Sequence, residues 1–219
     1  MNTSAMAETA IKICGITTPQ ALDAAIKARA DYAGFVFFPP SPRYLSSTDA
    51  AALGARAEGR IKRVGLFVDA SDAAIAEAVA AASLDALQLH GSETPARAAQ
   101  LRAQFGLPVW KVLTVAAKAD VERAQAYAGA ADLILFDAKT PKGSALPGGM
   151  GLSFDWNLVA NWKGSMAWGL AGGLAAGNVA EAIRLTAAPL VDTSSGVESA
   201  PGVKDVDKIA AFCKAARQL

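Results

Sequence analysis

Residues 63–91, "RVGLFVDASDAAIAEAVAAASLDALQLHG", contain one complete strand–helix–strand unit. The apolar runs "RVGLFV" and "ALQLH" have the length of buried strands. Between them, "SDAAIAEAVAAA" begins with serine, a common helix cap, and repeats its apolar residues three and four positions apart, as an amphipathic helix does. Because a crossover helix joins parallel strands, this stretch predicts an α/β protein with a parallel sheet.

The same unit recurs along the chain. Helical patterns "TPARAAQLRAQF" and "GNVAEAIRL" separate further apolar runs. The eight strand candidates are "IKICGI" from Ile11, "YAGFVF" from Tyr32, "RVGLFV" from Arg63, "ALQLH" from Ala86, "PVWKVLTV" from Pro108, "DLILFDA" from Asp132, "MAWGLA" from Met166 and "PLVDTS" from Pro189. An open doubly wound sheet also alternates strands and helices, but it usually has fewer strands. Residues 11–219 are therefore predicted to form a single-domain (β/α)8 TIM barrel, preceded by a disordered tail at 1–10.

Composition narrows the class of partner. The chain has 219 residues, of which 53% are hydrophobic, and its 21 basic and 20 acidic residues form no long run of one sign. We therefore expect a small metabolite as partner, and neither nucleic acid nor a membrane. Cys14 and Cys213 lie far apart and no secretory signal is apparent, which favours a reducing cytoplasm. The sequence offers no metal-ligand spacing and no dinucleotide-binding glycine motif, so we expect no metal and no cofactor.

Polar and ionisable side chains collect where the predicted strands end. The C-terminal ends of the strands form the active face of a barrel, so their shared location indicates a catalytic site. The residues concerned are Lys12 and Cys14 on strand 1, Arg43 after strand 2, Gln88 and His90 on strand 4, Asp137 on strand 6 and Asp192 on strand 8.

Cys14 has two interpretations. A lone cysteine on a strand is often a small core residue. However, strand alternation places Lys12 on the same face as Cys14, toward the barrel interior, if Ile11 and Ile13 face the helices. A nearby ammonium group favours the thiolate and is expected to lower the pKa of Cys14, which suits a general base.

Asp137 and the other polar residues also leave alternatives open. Asp137 is either a structural partner of Lys12 or a general acid that keeps its proton while substrate binds. His90, the only histidine, either contacts substrate or orients its loop. Arg43 is either a clamp for a substrate carboxylate or an ordinary loop arginine.

Two glycine-containing loops follow the last two strands. The segments "LAGGL" at 170–174 and "DTSSG" at 192–196 occupy the positions where many barrels bind phosphate through main-chain N–H groups. The stretch "PGGMG" at 147–151, in the long loop after strand 6, is predicted to be a mobile lid or an approach surface instead.

These motifs together resemble those of a known family. The segments "KICGIT", "GFVFFPPSPRY", "VGLFV", "QLHG", "LFDAK", "GGMGLSFDW", "LAGGL" and "VDTSSGVESAPGVKD" occur in the order and spacing typical of phosphoribosylanthranilate isomerases of tryptophan biosynthesis. The resemblance extends from about Ile11 to the C-terminus. It implies a cytoplasmic aldose–ketose isomerase, monomeric or homodimeric. Its reaction would be a cofactor-free Amadori rearrangement of a phosphorylated aminoaldose.

The resemblance also implies a role for each residue. Asp137 would protonate the furanose ring oxygen, and Cys14 would remove the proton from C2 of the sugar. Arg43 would bind the anthranilate carboxylate. Supporting roles would fall to Lys12, His90 and Asp192, and main-chain groups around Gly172, Gly173, Ser194, Ser195 and Gly196 would hold the phosphate.

Two alternative functions remain at the level of sequence. The histidine-pathway aminoaldose isomerase performs the same rearrangement. That enzyme is identified with a pair of aspartates as its acid and base, however, whereas strand 1 of this chain carries a cysteine at the corresponding position. A non-catalytic barrel that binds a phosphometabolite would bind a product analogue without turnover.

Overall fold

Eight parallel strands close into a barrel in sequence order. The computed structural model describes residues 8–138, 155–160 and 162–218. Each strand begins within one residue of its predicted start, and the closed barrel confirms the predicted fold class. The strands are β1 (Ala10–Cys14), β2 (Tyr32–Val36), β3 (Lys62–Phe67), β4 (Ala86–Leu89), β5 (Val109–Val115), β6 (Leu133–Ala138), β7 (Ala167–Leu170) and β8 (Leu190–Thr193).

Helices cover the outside of this barrel. Ser71 caps α3 and Thr94 caps α4 by accepting main-chain hydrogen bonds, as the sequence predicts. The helices are α1 (Pro19–Lys27), α2 (Ser47–Ala57), α3 (Asp72–Ala82), α4 (Pro95–Phe105), α5 (Lys118–Glu122), α6 (Val179–Thr186) and α7 (Val206–Arg217). Short 3-10 helices span Arg123–Tyr127, Trp156–Leu158 and Ser195–Val197. None of the helices in the described ranges has the length and hydropathy needed to cross a bilayer.

A β-hairpin that the sequence pattern does not indicate follows the barrel. Its antiparallel arms are β9 (Glu198–Ala200) and β10 (Val203–Lys204), and it connects β8 to α7. Arms of two and three residues are too short to show the alternation by which strands are recognised.

The hydrophobic core has an outer part, between the strands and the helices, and an inner part, inside the barrel. Successive residues of a strand point alternately into the two parts. Ile11 and Ile13 are fully buried in the large cluster between strands and helices. Cys14 packs inside the barrel with Val36 and Leu66. The predicted orientation of β1 is therefore confirmed, since its polar residues face inward and its isoleucines face the helices.

The predicted N-terminal tail and the predicted lid or approach surface lie wholly or partly outside the residues that the structure describes. Ala10 already belongs to β1, and the hydroxyl of Thr9 donates to the carbonyl oxygen of Ala188 at 3.2 Å. Residues 1–7 of the predicted tail, and the predicted lid at 147–151, lie outside the described residues.

Candidate active site

A buried ion pair lies inside the barrel next to Cys14. The Nζ atom of Lys12 is 3.0 Å from Oδ1 of Asp192, and the two residues are register partners on the neighbouring strands β1 and β8. Burial opposes the charge on Lys12, but Asp192 and Cys14 together more than offset this effect, so the pKa of Lys12 is raised. Of the two alternatives for Asp137, the structural pairing with Lys12 is therefore not the one found, because the stagger of the strands places Asp192 at the depth of the lysine.

The ionisation of Cys14 differs from the expectation. Burial raises the pKa of the Cys14 thiol, and the opposing effects of Lys12 and Lys204 offset it only in part, while Asp192 raises the pKa further. The expected net lowering is thus wrong, although the direction of the Lys12 effect is as expected. The reason is that the thiol is almost fully enclosed, and Asp192 partly cancels the lysine.

Gly34 makes room for this group of side chains. It is the register partner of Cys14 on β2. A Cβ atom at Gly34 would lie 2.9 Å from the Cys14 Sγ atom and 3.1 Å from the Lys12 Nζ atom. Any larger residue would therefore displace the thiol or the ammonium group.

Asp137, on β6, and His90, directly after β4, are neighbours in the structure. The Nε2 atom of His90 lies 3.4 Å from Oδ2 of Asp137, and this nitrogen has no hydrogen-bond partner among the described residues. The other carboxylate oxygen, Oδ1, accepts from the N–H of Ala138 at 2.8 Å. The structure thus brings His90 to the acid predicted for the site, and both side chains are about nine-tenths buried.

Arg43 lies across the end of β1. Gly15, directly after Cys14, has a φ of 75°, and a Cβ atom there would lie 2.5 Å from Cδ of Arg43. This residue must therefore be glycine for two reasons, its left-handed backbone and the close approach of the arginine. The Nε and Nη2 atoms of Arg43 donate to the two carboxylate oxygens of Glu198 at 2.7 and 2.8 Å.

Sequence reasoning missed Glu198 and Lys204, which belong to the hairpin. The Lys204 Nζ atom lies 2.6 Å from Oε1 of Glu198 and also donates to the carbonyl oxygen of Ser194 at 3.0 Å. Burial lowers the pKa of Lys204, and Glu198 opposes this shift. The available signal was an acid and a lysine on either side of the Pro201–Gly202 turn in "ESAPGVK", although nothing in it indicates that the pair is buried.

The glycine pair after β7 forms a turn whose left-handed backbone favours glycine. Gly172 and Gly173 have φ values of 85° and 63°, and their N–H groups donate no hydrogen bond within the described part of the chain. Asn178 fixes the turn, since its Nδ2 donates to the Gly173 carbonyl oxygen at 2.9 Å and its Oδ1 accepts from the Ala175 N–H at 2.8 Å. A Cβ atom at Gly172 would lie 2.9 Å from Oδ1 of Asp137.

The loop after β8 packs directly against this turn. The hydroxyl of Thr193 donates to the carbonyl oxygen of Leu174 at 2.7 Å, and a Cβ atom at Gly196 would collide with the same carbonyl group. Ser194 and Ser195 stand at the start of the short helix that contains Gly196. The structure therefore brings the two predicted phosphate loops into contact.

The order of the strands arranges these parts around the rim. The acid stands on β6 and the thiol on β1, and β7 and β8, whose loops carry the glycine turns, lie between them. Such a site can place a phosphorylated sugar between a proton donor and a proton acceptor. Among the described residues, no cluster of histidine, cysteine and carboxylate side chains is suited to hold a metal ion.

Comparison with known proteins gives one consistent result. Residues 11–215 match the family model described as N-(5'-phosphoribosyl)anthranilate (PRA) isomerase. The N-(5'-phosphoribosyl)anthranilate isomerase of Paramagnetospirillum magneticum is 55% identical, over 94% of this chain and 96% of its own.

Solved structures agree with the sequence relatives. A monomeric form generated from the dimeric phosphoribosylanthranilate isomerase of Thermotoga maritima superimposes with a TM-score of 0.83 at 36% identity, covering 96% of this chain and 100% of that one. A phosphoribosylanthranilate isomerase in complex with reduced 1-(o-carboxyphenylamino)-1-deoxyribulose 5-phosphate has a TM-score of 0.84 at 34% identity, with the same coverage.

Proposed function

This chain belongs to the N-(5'-phosphoribosyl)anthranilate isomerase family, and we propose that Cys14 and Asp137 perform its reaction as general base and general acid. The protein is an aldose–ketose isomerase of tryptophan biosynthesis. It converts N-(5-phosphoribosyl)anthranilate to 1-(2-carboxyphenylamino)-1-deoxyribulose 5-phosphate. Family membership decides against the histidine-pathway alternative.

The observation that carries the proposed mechanism is the position of the phosphate-type loops between the two catalytic strands. A phosphate held by the turns after β7 and β8 leaves the sugar between Asp137 on β6 and Cys14 on β1. The acid and the base then act from different sides of one sugar ring, as the rearrangement requires.

In the first step, Asp137 donates its proton to the furanose ring oxygen. The bond between C1 and this oxygen breaks, and the nitrogen lone pair forms a C1–N iminium in its place. His90, at 3.4 Å from the Asp137 carboxylate, stabilises the anion that remains after the proton has left.

In the second step, the thiolate of Cys14 removes the proton from C2, which the adjacent iminium has made acidic. The electron pair of the C2–H bond forms a C1–C2 double bond and neutralises the iminium, which gives an enolamine. Tautomerisation then adds a proton to C1 while the hydroxyl on C2 loses its proton, which produces the ketone at C2. Lys12 favours the thiolate form of Cys14 against the effect of burial.

Binding of the two anionic ends of the substrate is assigned to the rim. Arg43 offers the planar, bidentate geometry that suits the anthranilate carboxylate. The N–H groups around Gly172, Gly173, Ser194, Ser195 and Gly196 are assigned to the phosphate. The substrate is therefore held at both ends while its sugar carbons remain accessible to the acid and the base.

The binding partner and the cellular compartment are inferred from the site and from the state of the cysteines. We infer a phosphosugar substrate, and neither a nucleic acid nor a membrane partner, for a chain that works as a monomer or homodimer in the cytoplasm. Both cysteines are buried and unpaired, which supports a reducing compartment.

Growth of a tryptophan auxotroph that lacks this isomerase step tests the function. The wild-type gene and a Cys213→Ala variant are expected to restore growth without tryptophan, and Cys14→Ala is expected to fail. A turnover assay with this aminoaldose and with the histidine-pathway substrate accompanies it. Binding of a product analogue without turnover of either substrate would contradict the function, and full growth with Cys14→Ala would contradict the assigned base.

A further inference from the structure

Glu198 joins two cations at the rim, and the mechanism above does not use it. Its carboxylate contacts Nε and Nη2 of Arg43 on one side and the Nζ atom of Lys204 on the other. The side chains of all three residues are more than nine-tenths buried. Buried charges that form a paired cluster of this kind are costly to desolvate, so their retention points to a function beyond stability.

The contact with Glu198 fixes the plane of the Arg43 guanidinium group. Two parallel hydrogen bonds to one carboxylate remove rotation about the end of the side chain. Since Glu198 takes the edge formed by Nε and Nη2, it also determines the direction of the edge formed by Nη1 and Nη2. The stem of Arg43 is meanwhile held against Gly15, so the whole side chain has one defined path.

The hairpin holds Glu198 itself in place. The N–H of Gly202 donates to Oε2 of Glu198 at 3.3 Å, and a Cβ atom at Gly202 would lie 2.5 Å from the carbonyl oxygen of Pro42. The Nζ atom of Lys208 donates to the carbonyl oxygen of Glu198 at 2.7 Å. The hairpin therefore packs against the segment that carries Arg43. The main chain of the hairpin, through the N–H of Gly202, also holds the Glu198 carboxylate in place.

We propose that Glu198 is a positioning residue that sets affinity for the carboxylate end of the substrate by orienting Arg43. This inference rests on the proposed function, in which Arg43 binds the anthranilate carboxylate. Lys204 serves as the second counterion of Glu198. The three side chains together carry one net positive charge.

Two probes separate this role from a general structural one. The first is the reduced product, 1-(o-carboxyphenylamino)-1-deoxyribulose 5-phosphate with its carbonyl reduced, and the second is the same molecule without the ring carboxylate. Calorimetric titration of each probe gives a dissociation constant for every variant. Loss of carboxylate recognition weakens binding of the first probe alone, whereas a distorted site weakens binding of both.

The decisive variants are Glu198→Gln and the double variant Glu198→Gln/Lys204→Met. The double variant keeps the net charge of the wild-type cluster but loses the bidentate carboxylate. If Glu198 orients Arg43, Glu198→Gln binds the carboxylated probe about 10-fold or more weakly, with little change for the other probe. The double variant also loses the contacts of Lys204 with Ser194, so its affinity for each probe is compared as a ratio, and that ratio is expected to fall by the same factor. If only the electric field mattered, Glu198→Gln would bind the carboxylated probe more tightly and the double variant would bind it as the wild type does.

Controls distinguish failure of this inference from failure of the proposed function. Glu58→Gln, at an exposed position after α2, is expected to leave both dissociation constants unchanged. Arg43→Met is expected to weaken binding of the carboxylated probe alone, and equal loss for both probes would overturn the assigned role of Arg43. If Arg43→Met discriminates between the probes and the Glu198 variants do not, the positioning role alone is overturned.

Discussion

The Nζ atom of Lys12 lies 3.0 Å from Oδ1 of Asp192, fully enclosed in the barrel on the face that carries Cys14. This pair places a positive charge two residues below the thiol and a negative charge on the adjacent strand. The two charges act on Cys14 in opposite directions, and the lysine has the larger effect. The ionisation of the Cys14 thiol therefore depends on this buried pair.

Lys12→Met is expected to raise the pKa of Cys14 further, because the ammonium group is lost and Asp192 is left without its counterion. The pH dependence of iodoacetamide alkylation measures this pKa, in a Cys213→Ala background so that only one thiol reacts. The charge-neutral variant Lys12→Met/Asp192→Asn controls for the instability of an unpaired buried carboxylate. An unchanged pH dependence of alkylation in Lys12→Met would contradict the effect of Lys12 on the pKa of Cys14.

Cys14→Ala and Asp137→Asn are each expected to lower kcat by about 100-fold or more, because each removes one proton-transfer group. Steady-state kinetics together with circular dichroism separates lost catalysis from lost folding. Cys213→Ala is the matched control, since Cys213 is equally buried but lies on α7, away from the rim. Near-normal kcat in either catalytic variant would refute that assignment.

Gly34→Ala is expected to reduce kcat and to destabilise the fold by about 1–3 kcal/mol, because the added methyl group collides with Cys14 and crowds Lys12. Urea denaturation and steady-state kinetics measure the two effects. In Gly177→Ala the new methyl group meets nothing within 4 Å, so stability is expected to change little. Equal behaviour of the two variants would show that Gly34 is not a packing requirement of the site.

Asn178→Ala is expected to raise KM for the phosphorylated substrate more than it lowers kcat, because Asn178 fixes the turn at Gly173 and Ala175. Inhibition by inorganic phosphate gives an independent measure, and the inhibition constant is expected to rise in parallel. An unchanged phosphate inhibition constant would contradict the assignment of phosphate to this turn.

Glu198→Gln is expected to change the acid dependence of stability. The cations Arg43 and Lys204 outweigh the effect of burial and hold the pKa of Glu198 below its ordinary value of ~4.3. A carboxylate whose pKa is lowered by folding adds stability above its unfolded-state pKa, and this contribution is lost as the pH falls through the folded-state pKa. The difference in unfolding free energy between wild type and Glu198→Gln should therefore be largest near neutrality and shrink in acid. A difference that is independent of pH would contradict the ion pairing.

Much of the fold could be predicted from sequence because periodicity reports which face of a strand is buried. Ile11, Lys12, Ile13 and Cys14 alternate between the two sides of β1 as predicted. Alternation does not report depth along the barrel axis, which depends on strand stagger. For this reason the sequence could not show that Lys12 meets Asp192 rather than Asp137.

The rest of the site could not be predicted for a related reason. Glu198 and Lys204 lie beyond the last strand, in a segment without periodicity, and their burial depends on how the hairpin folds back onto Pro42. The sign of the net pKa shift of Cys14 also depends on enclosure by the whole barrel. Local sequence identifies the neighbours of a thiol, whereas only the folded chain determines how much water reaches it.

The order of the two proton transfers provides the most direct test of the central claim. The measurement is the kinetic isotope effect on kcat/KM with substrate deuterated at C2, in Cys14→Ala and in Asp137→Asn. If Cys14 removes the C2 proton, its loss makes that step rate-limiting, and Cys14→Ala shows a large primary isotope effect. If Asp137 opens the ring first, Asp137→Asn shows an isotope effect near unity. A large effect in Asp137→Asn with none in Cys14→Ala would contradict the assigned roles.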